Sequence, residues 1–181
     1  MGTNIRASAG GQSSNIQTNR PLFNELWENY PVKMPAGEVY EMVGGNAYAL
    51  YTENPVGYAN ACALRLSRSF NYGGMPIKKT TKGYKVSGGD GKLYLLRVRE
   101  MINFVENNLG KADISIKPNN NEDVSSQIQN KKGIIIFNVT GWGDATGHVT
   151  LWNGSDCGDS CYFIHSQPTV RTTDVFFWEL K

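Results

Sequence analysis

Apolar positions along the chain follow two different periods. In the first stretch, from Arg20 to Gly110, they recur three and four apart and predict helices. "RPLFNELWENYP" carries Leu22, Leu26 and Tyr30 at near-helical spacing, with Pro21 suited to a first turn and a stop before Pro31. "AGEVYEMVGGNAYAL" predicts a second short helix ended by Gly44-Gly45. Residues 60–70 predict a third. "NYGGMPIKKTTKGYKVSGGDGK" is a loop by its glycines. "LYLLRVREMINFVENNLG" sets Leu95, Val98, Ile102 and Val105 on one face, with Gly110 as the stop. After Pro118 the period changes. "EDVSSQIQN" reads as a short helix. "GIIIFNV" is a continuous β-branched run of the kind found in buried central strands. "GHVTLWNG", "CYFIHS" and "DVFFWEL" read as further strands. Helices first and strands later predict an α+β fold, an antiparallel sheet packed by helices.

Composition narrows the function classes. The 181 residues are 40% hydrophobic and 19% charged, an ordinary globular balance, and suffice for one domain with a sizeable core. A formal net charge of +2 without any basic run gives no support to nucleic-acid binding. No apolar run approaches the roughly 20 residues that span a bilayer, so no membrane insertion is expected. The first 19 residues, "MGTNIRASAGGQSSNIQTN", lack the apolar stretch of a secretory signal. They read as a flexible leader or an expression remnant, with a single domain over 20–181.

Candidate chemistry begins at "NACALRLSRSF". Asn60 is placed to cap a helix, and Cys62 then falls in the first turn, where free N–H groups and the helix dipole favour a thiolate. Ala63, Leu66 and Phe70 form an apolar stripe with Cys62 at its edge, so a packing role competes with a nucleophilic one. One of the two histidines, His148, opens the strand "GHVTLW" and shares a face with Thr150 and Trp152. Its ordinary pKa near 6.5 suits a general base. A cysteine at a helix start followed much later by a strand histidine is the chain order of papain-like peptidases. Asp159, Asp156 and Asn153 follow His148 within eleven residues and compete to orient its ring, or serve only as turn residues. Cys157 and Cys161 flank Asp159. Their spacing suits a local pair with Cys62 left free. The rival use is a zinc site of Cys157, Cys161, His165 and His148, whose spacing fits the usual patterns only loosely.

The segments "NACALRLSRSFNYGG" and "GHVTLWNGSDCGDSCYF", with "RPLFNELWENYP" before them, closely resemble the fourth family of type VI secretion amidase effectors, over about residues 20–181. These are papain-like cysteine peptidases of the NlpC type. The resemblance implies a nucleophile helix packed on an antiparallel sheet and a Cys62–His148–Asp159 site needing no cofactor and no metal. It implies a disulfide between Cys157 and Cys161, formed in an oxidising compartment. Trp142 and Gly141 would stand in the cleft wall, although Trp142 reads equally well as core. The implied activity is antibacterial: hydrolysis of peptidoglycan peptide stems between γ-linked D-glutamate and meso-diaminopimelate, in the periplasm of a rival cell. Delivery by the type VI secretion apparatus would need no signal peptide, and a cognate immunity protein would protect the producer. Two other readings use the same residues. One is a binding module for a cell-wall polymer or a protein, stapled by zinc or a disulfide. The other is a papain-like acyltransferase, which differs only in its acceptor.

Overall fold

The computed structural model describes residues 3–9, 12–18, 20–143 and 145–181. Of the segment read as a leader, Thr3–Ala9 (β1) and Gln12–Thr18 (β2) pair antiparallel in a two-stranded ladder of their own. The remaining leader residues lie outside the described residues. From Arg20 onward the order is α1 (Phe23–Glu28), α2 (Ala36–Val43), α3 (Gly45–Glu53), α4 (Cys62–Tyr72), β3 (Val86–Ser87), β4 (Leu93–Tyr94), α5 (Val98–Leu109), β5 (Ile114–Ile116), β6 (Gly133–Thr140), β7 (Gly147–Trp152) and β8 (Arg171–Glu179). The architecture is α+β, as the segregation of periods predicts. Four strands form an antiparallel sheet in the order β5-β8-β6-β7.

The run "GIIIFNV" is indeed central, paired with β8 on one side and β7 on the other. Its alternate residues feed two cores. Ile134 and Ile136 pack with Ala63, Leu66 and Phe70 of α4, with Val149 and Leu151 of β7, and with Trp178. Ile135, Phe137 and Val139 face Trp152, Phe163, Val175 and Phe177. Both faces of β6 are therefore covered, which is why the strand is apolar throughout. A third cluster joins Val39, Tyr40 and Val43 of α2 to Leu64 of α4 and Tyr94. Helix α4 thus runs through the interior, buried on almost every side.

Several elements differ from the sequence expectation. The second helix does end at Gly44, but another begins at once at Gly45. Both glycines have positive φ, and a Cβ on Gly45 would lie 2.5 Å from the Gly88 carbonyl carbon, so the kink depends on glycine. Helix α5 starts at Val98 because residues 93–94 pair with β3 instead. Its buried face is Met101, Phe104, Val105 and Leu109, with Val98 and Ile102 on the flank. Residues 125–128 form one 3-10 turn rather than a longer helix. "CYFIHS" is not a strand. Phe163 packs edge-on against Phe137 and Trp152, at 5.0 and 5.6 Å between ring centroids, so its apolar character serves the sheet face and not a ladder. Strand β5 was not foreseen. Among the described residues no helix is long and apolar enough to cross a membrane.

Candidate active site

Cys62 is the first residue of α4 and the one free cysteine, 2% exposed. Ala61 occupies the capping position. Asn60 contributes differently from the expectation: its Oδ1 accepts the Cys62 backbone N–H at 3.1 Å, and no side chain caps the first turn. Ala63 and Leu66 press the helix onto Val149 and Leu151 of β7. The strand's other face carries His148, Thr150 and Trp152.

His148 Nε2 donates to Asp159 Oδ1 at 3.0 Å, which leaves Nδ1 as the nitrogen available to Cys62. Burial works against a charged His148 ring. The neighbouring Cys62 sulfur and the Asp159 carboxylate outweigh it, each by charge and by hydrogen bonding, and raise the pKa to about 10. Burial likewise works to protonate Asp159. The hydrogen bond and charge of His148, the Thr150 hydroxyl and the Ser160 N–H prevail and hold it below the usual carboxylate range. The ring and the carboxylate are thus a buried, oppositely charged pair beside the sulfur.

Of the three candidate orienters, Asp159 alone touches the ring. Asp156 pairs with Lys33 at 2.6 Å on the surface, and Asn153 accepts the N–H groups of Ser155 and Asp156 within its turn. Cys157 and Cys161 form a disulfide that spans Asp159. With both sulfurs bonded to each other, the zinc arrangement has no thiolate pair. His165 in turn places Nε2 at 2.9 Å from the Thr172 hydroxyl.

Trp142 is half-buried. Its ring meets Tyr162 at 4.9 Å and His165 at 5.7 Å, and Tyr162 meets His148 at 4.8 Å. Trp142, Tyr162 and His165 line a hollow of about 240 Å³ that also touches Cys161 and Val170. Gly141 serves the backbone: at φ 93° its Cβ would lie 2.1 Å from the Thr169 carbonyl oxygen. Hollows of about 450 and 480 Å³ lie elsewhere, and neither is lined by Cys62, His148 or Asp159.

Three buried groups were missed in the sequence. Arg65 lies 7% exposed, one helical turn beyond Cys62, with Nε 3.6 Å from Asp159 Oδ2. A charged residue inside a helix flanked by apolar positions was the available signal. Tyr30, taken for an apolar helix position, hydrogen-bonds the Thr150 hydroxyl at 3.0 Å; burial first, then the Asp159 charge, keeps it protonated. Tyr40 is fully buried, and its hydroxyl has no partner among the described residues. Burial, and next the charge at Cys62, raise its pKa.

Residues 58–178 match the family described as type VI secretion system (T6SS), amidase effector protein 4. No curated protein sequence matches the chain. Solved structures do. The type VI effector Tae4 from Enterobacter cloacae is 38% identical with a TM-score of 0.79, over 92% of this chain and 100% of that one. The same effector in its Tae4–Tai4 effector–immunity complex is 39% identical with a TM-score of 0.78, over 90% and 99%. The Tae4–Tai4 complex from Salmonella Typhimurium is 37% identical with a TM-score of 0.79, over 90% and 100%. Nearly the whole length of each solved effector is matched, and the matched segment contains the buried cysteine, histidine and aspartate: the chain belongs to the type VI secretion amidase effectors, in their fourth family.

Proposed function

We propose that Cys62, His148 and Asp159 hydrolyse the bond between γ-linked D-glutamate and meso-diaminopimelate in peptidoglycan stems, after delivery into a rival cell's periplasm. The observation that carries the reading is the buried series of sulfur, imidazole and carboxylate, with His148 Nε2 committed to Asp159 and Nδ1 left for Cys62. His148 stands as the imidazolium beside Cys62, and the sulfur attacks the γ-glutamyl carbonyl carbon. The Cys62 N–H, exchanging Asn60 Oδ1 for the substrate oxygen, stabilises the oxyanion. The imidazolium protonates the leaving amine of diaminopimelate. Water, deprotonated by His148, then opens the thioester and frees the glutamate carboxylate and the thiol. Asp159 keeps the ring oriented and offsets its charge at both steps.

The span 20–181 is proposed as the catalytic domain; a solved effector of the family matches 90% of this chain. Trp142 and Tyr162 form one wall of the substrate cleft. Since solved relatives are effector–immunity complexes, a cognate immunity protein is the proposed partner, closing the cleft between Cys62 and His148. An oxidising periplasm suits the Cys157–Cys161 bond.

The test is digestion of purified peptidoglycan with mass assignment of the fragments. Wild type should release stems cut after D-glutamate. Cys62→Ala should be inactive yet folded, and His148→Ala should lose on the order of 10²–10⁴-fold. Fragments cut at another bond, or lysis by Cys62→Ala, would retract the assignment.

A further inference from the structure

Asp159 has two oxygens with different neighbours. Oδ1 accepts His148 Nε2 at 3.0 Å, while Oδ2 faces Arg65 Nε at 3.6 Å. That second distance is an ion pair rather than a hydrogen bond. The guanidinium itself cannot drift. Nη1 donates to the Pro31 carbonyl at 2.8 Å and Nη2 to the Met34 carbonyl. Both acceptors belong to the segment between α1 and α2, which also receives the Asp159 loop through Lys33 N–H to the Gly158 carbonyl at 2.8 Å. Arg65 and Cys62 sit on the same helix, one turn apart.

We infer that Arg65 is a positioning residue: its buried guanidinium, fixed on the Pro31 and Met34 carbonyls, holds one oxygen of Asp159 and thereby turns the other toward His148. The inference rests on the catalytic reading given above. Carbonyls satisfy two guanidinium nitrogens but supply no counter-charge. Among the described ion pairs, Asp159 is the one carboxylate that faces Arg65. The groups facing Asp159 are His148 and Thr150 from β7, Arg65 from α4, Tyr30 from the segment after α1, and the Ser160 N–H of its own loop. The Lys33–Asp156 pair lies further out, in solvent. Potential charges alternate along the series of neighbours: sulfur, imidazolium, carboxylate, guanidinium. Removing the last leaves a buried carboxylate with a single cationic neighbour. It is then easier to protonate and free to rotate away from the ring.

The experiment is a double-mutant cycle of Arg65→Met and Asp159→Asn, read as kcat and KM on stem peptides across pH, with thermal melts of each protein. Arg65→Met should lower kcat on the order of 10–100-fold, as outer partners of reacting groups do, with KM little changed. The acid limb of its pH profile should move to higher pH. Arg65→Lys, which keeps the charge, should leave that limb in place. In the Asp159→Asn background, Arg65→Met should cost no more than about twofold further, the scatter within which independent effects add. Equal losses in both backgrounds, or an unmoved acid limb, would overturn the role. If Arg65→Met does not fold, the same cycle with Arg65→Lys decides: its kcat loss should vanish in the Asp159→Asn background, and an equal loss in both overturns the role. Asp159→Asn at wild-type rate would instead remove the catalytic reading, and Arg65's part with it.

Discussion

Reducing the Cys157–Cys161 bond should harm catalysis more than stability, and the structure sets the scale. The ring has a sequence separation of only 4, so the bond removes little freedom from the unfolded chain. Loop-closure entropy for a ring this short amounts to about 2 kcal/mol. Reduction leaves both sulfurs in place, so no cavity adds to that figure. Upstream of Asp159 the chain keeps other tethers. Gly158 N–H donates to the Leu151 carbonyl at 2.8 Å, and the Gly158 carbonyl accepts Lys33 N–H at 2.8 Å. Downstream, Ser160 is exposed, and the disulfide is the anchor. The segment released is therefore Asp159 to Cys161, the one that presents a carboxylate to His148. For a chain of this size the stability loss corresponds to roughly 4–8 °C in melting temperature. Displacing the carboxylate by about 1 Å would lower the rate on the order of 10²-fold. Melting curves and peptidoglycan digestion are measured on oxidised protein and on protein reduced with a dithiol. A melting drop far beyond that range with the rate unchanged would refute the reasoning, as would free thiols at both positions in oxidised protein.

The same loop is sensitive to added volume. A Cβ on Gly158 would lie 2.6 Å from Tyr30 Cε1, in a ring that is buried and bonded to Thr150, so Gly158→Ala should cost about 1–3 kcal/mol in urea unfolding; wild-type stability would show that Tyr30 yields freely. The pH dependence of stability has two arms. His148 is raised to about 10, so its contribution is full below its unfolded value near 6.5 and is lost as pH climbs toward 10. Asp159 is depressed, so its contribution is present above the unfolded value near 3.9 and is lost as pH falls through the lower folded value. Asp159→Asn removes a partner of His148 and should flatten the alkaline arm in urea midpoints taken across pH; an arm of unchanged steepness would contradict the pairing.

Much of this was legible because local pattern and tertiary role agreed. "GIIIFNV" is apolar on both faces and lies between two strands. Cys62 opens a helix, and His148 opens a strand. The same logic explains the failures. "CYFIHS" has a strand's composition, but the disulfide bend and the packing of Phe163 on the sheet face use its apolar residues in an irregular segment. Three residues of β5 are too short to show a period. The α5 face was misjudged because Leu95 belongs to the core without belonging to the helix. At the site, the choice among Asn153, Asp156 and Asp159 depended on the direction in which a turn presents each side chain, which spacing alone does not fix. Arg65 and Tyr30 escaped because their partners lie 94 and 120 positions away, and local pattern carries no record of a contact at that range.

Strand β7 explains how a packed core and a reactive site share six residues. Val149 and Leu151 point toward α4 and fix the helix that carries Cys62. His148 and Thr150 point the other way and receive Asp159 and Tyr30. The period of two separates scaffold from chemistry within one strand. It also makes the site depend on register. A slip of one residue would turn the valine and leucine toward Asp159 and bury the histidine against α4. The pairing Phe137↔His148 prevents this, and Gly147 helps to pin it: a Cβ there would lie 2.4 Å from the Phe137 carbonyl oxygen, so the strand approaches β6 this closely only with glycine at its first position. Because β7 is the edge of the sheet, its flank is open to α4 and to the 156–161 loop at once. On a central strand, hydrogen-bonded neighbours would occupy both flanks, and a helix start and a pinned carboxylate could not meet across the same histidine.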